Sequence, residues 1–86
     1  MVKVDEAKYD RIEGLVYSVV LDKISRVGVS MAELKTASRE LVPELKEYND
    51  YHVGRFVGLS VTNLMRSCTA RIGCDNAGNI LIFANK

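Results

Sequence analysis

The order in which apolar periodicity changes along this chain leaves few folds open to it. Through about residue 65 the apolar side chains recur at three- and four-residue intervals, the period of a helix face. From Thr69 onward they lie in two short runs on either side of a turn. Three helical segments and one hairpin, with no repeat, low-complexity stretch or linker, have to be accommodated in 86 residues. That length gives room for one core, so residues 1–86 are expected to form a single α+β domain, mostly α.

The first helix is predicted from about Asp5 to Arg26, with Ile12, Leu15, Val16, Val19, Val20, Ile24 and Val27 on one face. Asp5 and Glu6 at its start and Lys23 and Arg26 near its end suit the helix dipole, and Gly28 is expected to end it. Tyr17 and Leu21 fall at the far edge of this arc, which is wider than a one-sided helix needs. Either the chain's own hairpin covers it, or it is a surface for a second copy or another partner. Val27-Gly28-Val29 reads as a short extended piece.

Ser30 and Glu33 form an S-x-x-E capping box at the start of the second helix. Its buried face is expected to hold Met31, Leu34, Ala37 or Ser38, Leu41 and Val42. Pro43 stops this helix and can open a further turn through Tyr48. Asn49 or Asp50 can cap the third helix, predicted from about Tyr51 to Met65 with Val53, Phe56, Val57, Val61 and Leu64 buried. Gly54 and Gly58 share one side of it. A glycine costs about 1 kcal/mol in a helix interior, so the pair suggests close approach of a neighbouring helix or, alternatively, of a ligand backbone. Asp75-Asn76-Ala77-Gly78-Asn79 is turn chemistry between a strand at 69–74 and an apolar, mostly buried return strand at 80–84.

The net charge of +1 gives no general reason to expect a nucleic-acid partner. Its distribution is more informative. Residues 1–50 carry eight basic and ten acidic side chains, whereas residues 51–86 carry Arg55, Arg66, Arg71 and Lys86 against Asp75 alone. At about 100° per residue, Tyr51, His52, Arg55, Leu59, Thr62, Asn63 and Arg66 form the outward face of the third helix. Apart from Asp50 at the cap, this face has no carboxylate, and its donors suit phosphates and base edges.

A capped helix Ser30–Val42, a linker, a helix Tyr51–Met65 and the hairpin Arg71–Phe83, all preceded by a long helix, resemble the winged helix-turn-helix superfamily. The resemblance covers nearly the whole chain and rests on the order of parts. It implies a winged helix whose third helix enters the major groove of double-stranded DNA while the hairpin wing touches backbone or minor groove. By position, the DNA contacts would be Tyr51, His52, Arg55, Thr62, Asn63 and Arg66 on the helix and Arg71, Asn76 and Asn79 on the wing. Lys35 and Arg39 would be phosphate contacts. The function expected is a transcriptional regulator acting as a dimer, with Tyr17 and Leu21 at the dimer or partner surface. The alternative is a non-enzymatic accessory subunit or adaptor of a larger nucleic-acid machine such as a polymerase or replication complex. The wide apolar arc of the first helix, the near-neutral charge and the uncharged wing favour that alternative.

Single residues also have plainer readings. Arg55 can be a solvated charge, His52 a cap or surface group, and Arg71 a partner of Asp75 or Glu44. Cys68 and Cys74 are expected to be reduced, buried small apolar groups, because their spacing fits no zinc motif and His52 lies far off. No metal, cofactor, small-molecule substrate or enzymatic activity is expected. Cys68 has no evident base, and the glycines do not space a phosphate loop. No apolar run approaches the ~20 residues of a membrane span, and no secretion signal opens the chain, so a cytoplasmic, nucleoid-associated location is expected.

Overall fold

The core forms where the apolar stripes of three helices meet. The computed structural model describes residues 6–85; Asp5 and Lys86 lie outside them. The elements run α1 (Glu6–Lys23), β1 (Val29–Ser30), α2 (Met31–Leu41), a 3₁₀ turn (Pro43–Glu47), α3 (Asp50–Arg66), β2 (Ala70–Cys74) and β3 (Ile80–Ala84). Ile12, Val16, Val19, Val20 and Ile24 of the first helical stretch pack with Leu34 and Val42, and with all five stripe residues expected on α3. Phe56 is fully buried at the centre, with Tyr9 tilted against it at 4.5 Å and Tyr48 edge-on at 5.5 Å. Burial of such a ring contributes about 1.5–3 kcal/mol.

The expected signals set most boundaries. The Ser30 hydroxyl accepts the Glu33 N–H at 3.1 Å and starts α2. Pro43 stands first in the 3₁₀ turn, which docks Leu45 fully into the core. Asn49 caps α3 by accepting the His52 N–H at 3.0 Å.

The hairpin does not stand alone. β1 joins it, giving an antiparallel sheet in the order β1-β3-β2, with Val29 opposite Ile82 and Ile72 also opposite Ile82. The Ala84 N–H donates to the Ser25 carbonyl, tying β3 to the segment after α1. This element order and sheet make the fold α+β, three helices with a small antiparallel sheet in a winged-helix-like arrangement.

Several local expectations are corrected. α1 ends at Lys23, earlier than Arg26, and the chain leaves the helix axis before Val27, which is 83% exposed. Gly28, expected to terminate that helix, instead turns the chain into β1 at φ +88°. Leu15 and Leu41, expected inside, are exposed, because they sit at the edges of their stripes. On the return strand only Ile82 is fully buried; Ile80, at its start beside the turn, is 57% exposed. Cys68 and Cys74 are both exposed free thiols. Gly54 is met only by the end of the Lys35 side chain, and a Cβ at Gly58 would have nothing within 4 Å, so no close helix packing explains Gly58.

Candidate nucleic-acid interface

Helix α3 presents its outward face as its periodicity requires. Tyr51, His52, Arg55, Leu59, Thr62, Asn63 and Arg66 are all exposed, opposite the buried stripe. Among the described residues, neither Arg55 nor Arg66 has an ion-pair partner. His52 is held at the helix start, where Nδ1 lies 2.8 Å from the Asn49 Oδ1 that also caps the helix. The Tyr51 ring meets the imidazole edge-on at 5.5 Å. The Thr62 hydroxyl donates back to the Gly58 carbonyl at 2.8 Å, so its accepting lone pairs face outward.

The carboxylates at and before the N-terminal end of this face are neutralised by long-range pairs. Asp50 is held by Lys35 Nζ at 2.5 Å and by Arg39 at 3.6 Å. The hydrogen bond from Lys35, reinforced by the charges of Lys35 and Arg39, lowers its pKa below the ordinary 3.8 and keeps it ionised. Lys35 and Arg39, expected as phosphate contacts, are thus engaged with Asp50. The acids of the 3₁₀ turn are covered in the same way, Glu44 by Arg11 at 3.1 Å and Glu47 by Lys8 at 2.5 Å. The linker therefore repels phosphate less than its composition suggests.

The wing carries little charge. Arg71 pairs with neither Asp75 nor Glu44; its guanidinium lies 4.5 Å from the centroid of the Phe83 ring. The Asp75 carboxylate accepts the Ala77 and Asn79 backbone N–H groups, each at 2.9 Å, and the Asn79 side-chain amide at 3.1 Å. The backbone bond from Asn79, then its side-chain bond, holds the Asp75 pKa below its ordinary value. Asn79 is therefore engaged in its own turn, whereas Asn76 is exposed at the tip.

The two residues expected at a partner surface separate. Tyr17 is half-buried and packs against the core, while Leu21 is 44% exposed. Leu21 borders a groove of about 490 Å³ with Ile24, Ser67, Cys68, Thr69 and Ala84. A second groove, of about 340 Å³ between α1 and α3, is lined by Asp10, Glu13, Gly14, Tyr17, Ser60 and Asn63. It gave no sequence signal because its walls lie far apart in the chain. It places two acids beside Asn63 and marks the α1 edge of the basic face. Among the described residues there is no group of side chains able to hold a metal ion, and no helix is long and apolar enough to cross a membrane. No protein-family model, no curated protein and no solved structure matches the chain.

Proposed function

We propose that this protein binds double-stranded DNA without enzymatic activity, as a small regulator whose α3 enters the major groove and whose hairpin flanks it. One observation carries the reading. Among the described residues, Arg55 and Arg66 on the outward face of α3 have no ion-pair partner, while Lys35 and Arg39 neutralise Asp50, the carboxylate at the start of that face. A face of unengaged donors next to a neutralised acid suits phosphate oxygens and the acceptor atoms of base edges.

The affinity expected of one copy is small. Arg55, Arg66 and Arg71 together neutralise about three phosphates, which gives a salt slope near −2.7 and about a fortyfold loss between 50 and 200 mM salt. Two copies double the slope and set two half-sites about one helical turn apart. The half-exposed Leu21 edge is the proposed contact between copies.

Binding to a random-sequence duplex and to a selected pool, at two salt concentrations, tests the reading. Salt-dependent binding with preference for the selected pool is expected. No binding at low salt overturns it.

A second reading has its own support. Ile72 and Ile80 are 47% and 57% exposed on the wing, whose tip has no cation. An apolar wing suits an accessory subunit seated on a larger protein better than a phosphate contact. Failure of DNA binding together with loss of a co-purifying protein in Ile80→Asp would favour it.

A further inference from the structure

On α1, Asp10, Glu13, Gly14 and Tyr17 flank one side of the core-facing stripe, and Lys8 and Arg11 flank the other. The two cations are turned to Glu47 and Glu44 of the 3₁₀ turn. The acids face the groove shared with Ser60 and Asn63 of α3. Neither Asp10 nor Glu13 has an ion-pair or hydrogen-bond partner among the described residues.

Ser60 lines the same groove and supplies an independent observation. It is 1% exposed, and its hydroxyl has no hydrogen-bond partner. A buried hydroxyl left unpaired costs about 1–3 kcal/mol, so such a group calls for a partner that binding can supply. Gly14 keeps the opposite wall low, since a Cβ there would have nothing within 4 Å.

We propose that the α1–α3 groove binds an alkylammonium group, with the carboxylates of Asp10 and Glu13 at its mouth and the Ser60 and Tyr17 hydroxyls as acceptors deeper in. An ammonium brings three donors and one positive charge, the complement of two carboxylates and acceptor oxygens. A free diamine and a lysine side chain both carry this group. The site borders the proposed DNA face at Asn63 but needs no nucleic acid, so either can fail alone.

The test is an amide NMR titration of the intact chain with 1,4-diaminobutane and, separately, with N-acetyl-lysine amide, each against sodium chloride at matched ionic strength. Saturable shifts centred on Gly14, Tyr17, Ser60 and Asn63 are expected with at least one amine and absent with salt. Binding of the diamine alone identifies a small-molecule occupant, and binding of the lysine derivative alone identifies a protein side chain. Glu13→Gln should weaken binding about tenfold, the size of one lost charge-assisted hydrogen bond. Ser60→Ala should weaken binding while leaving the thermal midpoint of the free protein unchanged or raised, because the hydroxyl it removes is unpaired. Glu40→Gln, away from the groove, should change neither. Should Glu13→Gln perturb the fold, Asp10→Asn serves in its place. Shifts that do not saturate, that salt reproduces, or that survive both acid substitutions would overturn the proposal.

Discussion

Gly28→Ala should be among the most damaging single-methyl changes in this protein. Gly28 has φ +88°, a region where an L residue costs about 1–2 kcal/mol. Its added Cβ would lie 2.6 Å from Cε1 and 2.9 Å from Cζ of Phe83. On the ring's other edge Cε2 lies 3.0 Å from the Cβ position that Gly73 leaves empty, so sliding the ring that way brings it toward the Gly73 backbone. Arg71 covers one face of the ring at 4.5 Å, so tilting it disturbs that contact as well. Displacing a wedged ring costs about 1–3 kcal/mol, and the lower chain entropy of unfolded alanine returns about 0.4–1 kcal/mol. The net loss is about 2–4 kcal/mol, against a total stability on the order of 5–15 kcal/mol. At about 4–8 °C per kcal/mol, the thermal midpoint falls by roughly 10–30 °C. Urea unfolding followed by circular dichroism measures the change. Combining Gly28→Ala with Phe83→Leu should recover about 1 kcal/mol, the coupling expected of residues in contact. A single-mutant loss below about 0.5 kcal/mol, smaller than the strain of the left-handed region alone, would refute the reasoning.

Gly58→Ala should have the opposite sign. Its Cβ meets nothing, so the substitution should stabilise α3 by about 0.5–1 kcal/mol in a thermal melt, and a loss would reveal a close neighbour. Cys68 ends α3 at φ 60°, with the Thr69 N–H on the Leu64 carbonyl and its own N–H on that of Met65. Cys68→Gly should therefore gain up to about 1 kcal/mol while Cys68→Val loses a similar amount, and equal effects would contradict the left-handed cap. For Asp75, bonding from Asn79 depresses the folded-state pKa below the ordinary 3.8. Its contribution to stability is complete above that value and is lost as pH falls through the lower folded value. The Ala77 and Asn79 amide resonances should titrate with a midpoint below 3.8, and a midpoint at or above 3.8 would contradict the turn.

Much of the frame was legible because it rests on local chemistry. Ser30 with Glu33, Pro43, Asn49 and the turn 75–79 act within a few residues of themselves, and each sets a boundary found in the structure. The outward face of α3 was equally legible, since one helix's period decides which side of it faces the core. Periodicity failed where the chain stopped being helical. Val27 keeps the spacing of the stripe but lies beyond the end of α1, so its phase carries no information about burial. Leu45 is buried by a 3₁₀ turn, whose three-residue period a 3.6-residue pattern does not represent. Cys68 occupies the position where glycine usually announces a helix end, so its left-handed backbone and its exposure could not be read. The pairs of Asp50 with Lys35, Glu44 with Arg11 and Glu47 with Lys8 join residues distant in sequence. Their effect on the candidate interface becomes visible only once α1, α2 and α3 are packed.

The claim that α3 is a phosphate-binding and base-reading face is tested most directly by the salt dependence of duplex binding for the wild type, Arg55→Ala and Asp50→Asn. The account predicts that Arg55→Ala flattens the slope of log affinity against log salt by about 0.9 per copy. Asp50→Asn releases Lys35 and Arg39 and should steepen the slope by up to about 1.8 per copy. Wild-type binding absent at low salt, or slopes indifferent to both substitutions, would contradict it.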